Sequence, residues 1–159
     1  MLAWLTSTYI GKLVATAVIS MVPVIELRGG IPYGVGFGLS PLAATIAAVI
    51  GNMLPIPFVL LFLNGILEWM KKREDFLGNI ADWLERKAYR NQDKIEKYKA
   101  LGLMILVAIP LPGTGAWTGA LVAVVFGIKT RVAIPSIFMG VVIAGIIVAI
   151  LSYGVKSLV

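Results

Sequence analysis

The stretch PVIELRGGIPYG, residues 23–34, places Glu26 and Arg28 two positions apart in a chain that is otherwise largely apolar. Apolar residues precede and follow this stretch, and glycine and proline interrupt it near its centre. Each flanking limb is too short to cross about 30 Å of hydrocarbon at about 1.5 Å per helical residue. The stretch therefore predicts the tip of a re-entrant helical hairpin, which enters a membrane, turns at its middle and returns to the same side.

The composition is that of an integral membrane protein, because 59% of the 159 residues are hydrophobic, 14% are charged and the mean hydropathy is +0.94. The chain has no cysteine and no histidine, which excludes disulfides, thiol nucleophiles, imidazole bases and the usual zinc or haem ligands. We expect no metal, no other cofactor and no enzymatic activity. Most of the basic residues lie beside most of the acids between Lys71 and Lys99, which favours a solvated, lipid-facing segment over a nucleic-acid surface.

Two uncharged stretches, from Pro41 to Leu63 and from Val132 to Tyr153, are long enough for helices that cross a membrane. A second pair of short apolar limbs flanks the turn sequence PLPGTGAW, residues 110–117. The first of these limbs runs from Leu101 to Ile109 and the second ends at Gly127. They predict a second re-entrant hairpin.

The two halves of the chain match each other when the sequence is shifted by 89 positions. The superimposed residues are Pro23 on Pro112, Gly30 on Gly119, Phe37-Gly38 on Phe126-Gly127 and Gly51 on Gly140. The alternative is that glycine-rich membrane helices match by accident. Because each copy contains a hairpin and one crossing, the two copies are predicted to have opposite orientations, as in the inverted repeats of many transporters.

We predict an all-α integral membrane domain over residues 1–159, in which each re-entrant hairpin is followed by a transmembrane helix. Repeat 1 covers about 12–63, a linker covers about 66–99 and repeat 2 covers about 101–155. Apolar residues recur at spacings of three and four through much of the linker, which predicts an amphipathic helix on the membrane. Its excess of lysine and arginine places the linker in the cytoplasm, so both termini face outward.

The repeat also predicts where Lys12 lies, since the shift aligns it with the mouth of the second hairpin. We expect Lys12 at the membrane surface and Met1 to Gly11 as a short interfacial helix. Small residues recur every fourth position in both halves, which predicts close helix contacts within one subunit or between two. Because two crossings and two hairpins shield their polar turns from lipid poorly, we expect a homodimer.

Glu26 and Arg28 are the charges that we expect deepest in the membrane, where a charge is tolerated when it is paired, hydrated or functional. Burial and a neighbouring guanidinium act on the proton affinity of a carboxylate in opposite directions, so Glu26 is a candidate for loading and releasing protons. The alternative is a structural pair of Glu26 with Arg28 that only closes the hairpin.

Helix N-termini at the two hairpin tips would favour an anionic headgroup, such as a phosphate or a carboxylate, unless water or Glu26 satisfies their N–H groups. Pro32 predicts a helix start close to it, with residues 28–30 unwound, and Thr114 is a candidate cap in the second hairpin. Trp117 could close over a substrate, or it could serve in packing or as an interfacial anchor. Asn52 is either a ligand or a contact between helices. The predicted transport site consists of Glu26, Arg28, Gly29, Gly30, Pro32, Asn52, Pro112, Gly113, Thr114, Gly115, Trp117 and Thr118.

The segments ELRGGIP at 26–32, GNMLPIP at 51–57 and PLPGTGAWTGAL at 110–121 resemble the small multidrug export protein family of prokaryotic membrane proteins. That family resembles in turn the DedA (VTT, or SNARE-associated) superfamily. The resemblance implies a multi-pass protein of the prokaryotic cell membrane with two inverted re-entrant hairpins. It also implies proton-dependent lipid-carrier transport or lipid scrambling, in which the acidic and arginine roles fall on Glu26 and Arg28. The chain has no second acid in either hairpin, so the substrate does not carry over.

Together these features favour a proton-coupled transporter or flippase for an amphiphile with an anionic headgroup, with membrane lipids and protons as its other partners. An uncoupled ion channel, a lipid scramblase or a multidrug exporter would use the same hairpins. A scaffold that recruits partners through its cytoplasmic helix is a further alternative.

Overall fold

The computed structural model describes residues 4–72, 79–80, 83, 92–111 and 114–158, and the regular structure within these ranges is helical, as predicted. Most of the predicted amphipathic linker helix lies outside the described residues, and so do Pro112 and Gly113. The helices are α1 Trp4–Ser7, α2 Tyr9–Met21, α3 Glu26–Gly36, α4 Pro41–Met53, α5 Ile56–Lys71, α6 Gln92–Ala108, α7 Ala116–Val125 and α8 Thr130–Leu158.

Two helical stretches of the described chain, Pro41–Met70 and Thr130–Gly154, are long and apolar enough to cross a membrane. They contain the two predicted crossings. The first is interrupted where α4 ends and α5 begins, because the prolines at 55 and 57 lack the backbone N–H that would continue the hydrogen bonds of the helix. The apolar helices Tyr9–Met21, Tyr98–Ala108 and Ala116–Val125 are shorter than 18 residues.

The short apolar helices form two antiparallel pairs. In the first pair, α2 packs against α3, and the ammonium group of Lys12 near the start of α2 lies beside Gly38 just after the end of α3. In the second pair, α6 packs against α7, and the Nζ of Lys99 donates to the carbonyl of Phe126 at the end of α7, at 3.3 Å. A cation at a helix C-terminus complements the partial negative charge of its free carbonyls. Each hairpin therefore has a lysine at its open end.

The turns that follow α3 and α7 have the same structure. Both are Schellman motifs in which a glycine takes a positive φ, 89° at Gly38 and 62° at Gly127. The closing hydrogen bonds run from the N–H of Leu39 to the carbonyl of Gly34 at 2.9 Å and from the N–H of Ile128 to the carbonyl of Ala123 at 2.8 Å. Every one of these positions corresponds to its counterpart under the shift of 89 residues, so the sequence repeat is also a repeat of local structure.

Glycines bring the long helices against the hairpins at equivalent positions in the two halves. Gly51 of α4 lies against the backbone of Ala17 in α2, and a Cβ at Gly51 would collide with the Ala17 carbonyl. Gly140 of α8 lies against α6, where a Cβ would lie 2.7 Å from the carbonyl oxygen of Met104. These two close contacts therefore lie within one subunit.

The start of α3 differs from the prediction. Residues 28–30 are helical rather than unwound, because α3 begins at Glu26, and Pro32 is an exposed residue inside the helix. Gly30 is needed for packing and not for unwinding, since a Cβ there would collide with the hydroxyl of Ser20 in α2. Pro32 costs α3 one backbone hydrogen bond, the one to the carbonyl four residues earlier, which a helix in close contact with its neighbours tolerates.

The N-terminal segment is also not a single helix in its described part. α1 ends at Ser7, and α2 begins at Tyr9. Thr8 separates them because its side chain caps α2, with its hydroxyl oxygen accepting from the N–H of Gly11 at 3.1 Å.

The two halves interlock, because α3 of the first half packs on α8 of the second and α7 of the second packs on α5 of the first. The core between them is made of alanine and aliphatic side chains such as Ile31, Ile137 and Val141, all fully buried. Large apolar side chains remain exposed along the outer surfaces of α4, α5 and α8. An apolar exterior of this extent is typical of a surface that faces lipid.

Candidate functional site

The candidate site lies where the tips of the two hairpins meet, and it is built around Glu26. This residue is the first of α3 and only 4% of it is exposed. Its φ is 50°, and it is the only non-glycine residue of the described chain with a positive φ. A left-handed backbone costs an L residue about 1–2 kcal/mol. Strained backbone of this kind is concentrated at functional sites. It persists only where the surrounding structure holds it in place.

The carboxylate of Glu26 reaches across to the second half of the chain. Its Oε1 accepts a hydrogen bond from the backbone N–H of Trp117 at 3.3 Å, and the N–H of Ala116 also stabilises the charged group. These two N–H groups belong to the first turn of α7. The N-cap residue of this helix is Gly115, so no N-cap side chain accepts a hydrogen bond from them. Glu26 therefore supplies the negative charge that a helix N-terminus favours, and it does so from the opposite hairpin.

Arg28 makes the complementary contact with the turn between α6 and α7. Its guanidinium donates to the backbone carbonyls of Leu111 and Thr114, and its Nη2 lies 2.9 Å from the hydroxyl oxygen of Thr114. A planar guanidinium can hold several acceptors at once, which an ammonium group on a flexible stem does less well. The acid and the base of the first hairpin thus both bind the second hairpin.

The predicted structural pair of Glu26 with Arg28 does not form as a direct contact. The two charges influence each other through space, but each side chain makes its hydrogen bonds to the second half of the chain. The sequence leaves open whether an anion, water or Glu26 satisfies the N–H groups at the hairpin tips. In this structure the carboxylate of Glu26 does so at α7.

Two further residues of the predicted site join this cluster in roles that differ from the predicted ones. Thr114 does not cap α7, because its hydroxyl lies 2.6 Å from the carbonyl oxygen of Ile109 and 2.8 Å from that of Leu111 and so stabilises the turn before the helix. The indole N–H of Trp117 donates to the carbonyl of Met21, the last residue of α2, at 3.2 Å. Trp117 therefore connects the two tips directly.

Gly115 explains why the site holds one carboxylate and not two. Under the shift of 89 positions it corresponds to Glu26, and it too has a positive φ, of 146°. A Cβ at Gly115 would collide with the Oε2 of Glu26, and it would lie 2.6 Å from the Oε1. The two equivalent positions therefore face each other across a space that admits a single side chain.

The other predicted site residues lie outside this cluster. Gly29 and Gly30 belong to the body of α3, Thr118 is half-buried in α7, and Asn52 is fully buried in α4. For Pro112 and Gly113 the structure offers no description.

The carbonyls of Met21 and Leu111 are the parts of the site that the sequence did not reveal. Any residue has a carbonyl, so the residue types carry no signal for this role. The end of α2 does carry a general signal, since the last carbonyls of a helix lack partners within it and Met21 is the last residue of α2. Leu111 lies beyond the end of α6, so this signal does not apply to it.

A groove elsewhere on the molecule has a volume of about 400 Å³ and lies between α2 and α4. Its lining is almost wholly apolar and includes Leu13, Ala17 and Ile46. It shares no residue with the Glu26 cluster and offers hydrocarbon contact rather than polar chemistry. Within the described ranges, no group of three or more His, Cys, Asp or Glu side chains could hold a metal ion.

The comparisons with known proteins identify a family. A family model described as "Putative small multi-drug export protein" matches residues 26–147, which contain Glu26, Arg28, Thr114 and Trp117. Neither the search of curated proteins nor that of solved structures found a match. Because the match covers more than half of the chain, the protein belongs to this small multidrug export family.

Proposed function

We propose that the protein is a membrane transporter that moves a small amphiphile with an anionic headgroup and couples this movement to protons. The observation that carries the proposal is the position of Glu26, a buried carboxylate that caps a helix of the opposite half. The family description supports export of small molecules, and the two long apolar helices support residence in a membrane. The relation to the DedA superfamily stays a prediction.

In the proposed arrangement both hairpins are re-entrant and the two halves form an inverted repeat. The lengths of the helices support this. α3 has 11 residues and α7 has 10, so each covers about 15 Å, which is half of the hydrocarbon thickness. The repeated turns and glycine contacts support the equivalence of the halves. We place residues 66–99 in the cytoplasm of a prokaryotic cell, and we propose that two copies form a homodimer.

The proposed coupling is a competition for the N-terminus of α7. While Glu26 is ionised, its carboxylate occupies the N–H groups of Ala116 and Trp117. Once Glu26 takes up a proton, it loses the charge that the helix terminus favours, and these N–H groups become available to the anionic headgroup. Release of the headgroup lets Glu26 lose its proton and return. A proton and an anion would thus bind together and leave together.

Arg28 would keep the two tips in register during this exchange, because its contacts to the turn at 111 and 114 do not involve the carboxylate. Its positive charge lies at the same junction and attracts an anion from either side. This role differs from direct binding of the headgroup, since in this structure the guanidinium already holds backbone carbonyls.

Transport in reconstituted vesicles tests the proposal. The probes are an anionic fluorescent amphiphile, 1-anilinonaphthalene-8-sulfonate, and cationic ethidium, each followed with and without an imposed proton gradient. We expect the anionic probe to move faster with the gradient and ethidium to be unaffected. Glu26→Gln should abolish the dependence on the gradient, because glutamine neither ionises nor caps a helix with a charge.

Glu68→Gln is the matched control, because Glu68 is an exposed acid in α5. It should leave the gradient dependence intact. A Glu26→Gln protein that kept the dependence of the wild type would remove Glu26 from the coupling role. Wild-type flux that ignored the gradient would instead favour an uncoupled channel or scramblase.

A further inference from the structure

The buried side chain of Asn52 has no role in the proposed function, and its polar atoms lack hydrogen-bond partners within the described part of the chain. Its side chain is fully buried in α4, and neither its Nδ2 nor its Oδ1 has a hydrogen-bond partner among the described residues. Most buried polar side-chain atoms in proteins are paired, because an unpaired one loses its hydration without compensation. An amide with both its donor and its acceptor unpaired calls for a partner that is not in place in this state.

The packing of α3 on α4 puts Asn52 at the level of Glu26. A Cβ at Gly34 of α3 would lie 3.0 Å from the Cβ of Ala44, so these two positions face each other. The helices are joined by the tight turn after α3 and run in opposite directions. Moving eight residues along α4 from Ala44, past the buried Ala48, leads to Asn52, and moving eight residues back along α3 from Gly34 leads to Glu26.

The chemistry of the amide matches one form of that carboxyl group. A primary amide presents an N–H donor and a carbonyl acceptor side by side. An ionised carboxylate can only accept, so it would leave the Oδ1 of Asn52 unpaired, whereas a protonated carboxyl group has one donor and one acceptor. The neutral acid and the amide can therefore form two hydrogen bonds at once.

We propose that Asn52 is the binding partner of protonated Glu26, so that the carboxyl group has two positions: ionised at the N-terminus of α7, and protonated on the amide of α4. This proposal rests on the proposed function, in which Glu26 takes up a proton from water when the headgroup binds. It adds the position that the neutral acid occupies while the headgroup holds α7. Asn52 is then a positioning residue that keeps the proton on Glu26 during transport.

The second half of the chain has no such pair, which is consistent with a single proton site. Val141 corresponds to Asn52 under the shift of 89 positions, as Gly115 corresponds to Glu26, and Val141 is fully buried. Arg28 is the charged side chain two residues from Glu26 on the same helix. From α2, α7 and the turn between α6 and α7, the described polar groups at the junction include the carbonyls of Met21, Leu111 and Thr114, the hydroxyl of Thr114, and the indole and backbone N–H of Trp117.

Infrared difference spectroscopy of the purified full-length protein, stepped from high to low pH, tests this pairing directly. Protonation of Glu26 gives a carboxylic C=O stretching band, which is assigned by its loss in Glu26→Gln. Hydrogen bonds lower the frequency of this band. We expect Asn52→Val to shift the band to higher frequency, because valine has neither a donor nor an acceptor in its side chain.

Thr16→Val is the matched control, since Thr16 is buried in the same half but donates to the carbonyl of Lys12 at 2.7 Å, away from the tip. It should leave the band in place. A Glu26 band that does not move in Asn52→Val would overturn the pairing and leave the proposed function standing. The absence of any Glu26 band while the protein stays folded would overturn both.

Thermal unfolding provides a second readout that a purely structural asparagine would not give. At a pH where Glu26 is ionised, Asn52→Val removes an unpaired polar group and should raise the Tm by about 2–4 °C. At a pH where Glu26 is protonated, the same variant loses two hydrogen bonds, so the gain should vanish or reverse. An increase in Tm that is equal at both pH values would contradict the proposal.

Discussion

At the scale of single residues, Glu26 shows how one side chain can join the two halves of the molecule. Its backbone is left-handed, its carboxylate is buried, and its partner is a helix terminus 91 positions away in the sequence. Strain of this kind persists only where the surroundings fix the residue. The neighbouring tip fixes it here, because Gly115 leaves room for the carboxylate and α7 presents unpaired N–H groups to it.

Gly115→Ala tests this fit. The added Cβ would occupy the place of the Glu26 carboxylate and would require an L residue at a φ of 146°, so we expect loss of gradient-dependent transport and a lower Tm. Gly102→Ala in α6 is the control, since a Cβ there meets nothing within 4 Å. Adding Glu26→Ala to Gly115→Ala should recover part of the lost stability, because the collision is gone. A Gly115→Ala protein with wild-type transport and Tm would show that the space is not filled by Glu26.

Arg28 makes a second prediction at this scale. Arg28→Ala removes the guanidinium that donates to the carbonyls of Leu111 and Thr114, and each hydrogen bond to a charged group contributes about 1.5–3 kcal/mol. We expect a clear decrease in Tm, with Arg28→Lys intermediate because an ammonium group keeps the charge but not the planar set of donors. Lys72→Ala, at an exposed residue after α5, should have no effect. Equal Tm values for Arg28→Lys and the wild type would mean that charge alone holds the turn.

At the scale of helices, glycine determines which surfaces touch. Gly51 and Gly140 occupy equivalent places, and each lets a long helix approach the backbone of a hairpin helix. Small residues recur at every fourth position along α3 and α7, where Gly30 packs on Ser20 and Gly119 packs on Val107. Without a hydrophobic driving force between helices in lipid, such close contacts are a main source of association.

Glycine-to-alanine substitutions should therefore affect the Tm in two ways, depending on whether the glycine lies at a helix contact. Gly51→Ala and Gly140→Ala force two helices apart, and overpacking of this kind costs about 1–3 kcal/mol, so the Tm should fall in both. Gly65→Ala in α5 meets nothing within 4 Å and should raise the helix stability by about 0.5–1 kcal/mol. Thermal unfolding in one detergent measures all three. A stabilising Gly51→Ala would contradict the contact with Ala17.

At the scale of the whole molecule, the proposed inverted arrangement places equivalent turns on opposite sides of a membrane. The turn after α3 would lie outside the cell, with Lys12, and the turn after α7 would lie in the cytoplasm. The hairpin tip that precedes Glu26 would lie inside the membrane, away from both of its surfaces.

Cysteine labelling tests this topology cleanly, because the chain has no native cysteine. We expect Ser40→Cys to react with an impermeant maleimide added to intact cells and Lys129→Cys to react only after the membrane is opened. Val24→Cys should react slowly in both cases, although Val24 is 90% exposed in the isolated chain, since its surroundings would be lipid. Labelling of positions 40 and 129 from the same side would exclude the inverted arrangement.

The helical segments and the two that are long enough to cross a membrane can be predicted from the sequence, because they depend on local properties. The length of an apolar run, the place of a proline and the need for glycine at a positive φ can be read within a few residues. Local signals misplaced the start of α3, because Pro32 was interpreted as a helix start while the packing of Gly30 on α2 keeps that segment helical. The sequence also identifies Glu26 and Arg28 as the charges at the tip, but it leaves the partner of Glu26 open and does not reveal that of Arg28.

The packing of the two hairpin tips makes these two side chains bind the opposite hairpin and not each other. The partners are backbone groups, the N–H of Trp117 and the carbonyls of Leu111 and Thr114, which any residue type would supply. Their availability follows from where two helices end and how closely two tips pack, and both depend on contacts between residues about 90 positions apart. A carboxylate binds the unpaired N–H groups that packing brings within its reach, and for Glu26 those groups belong to α7.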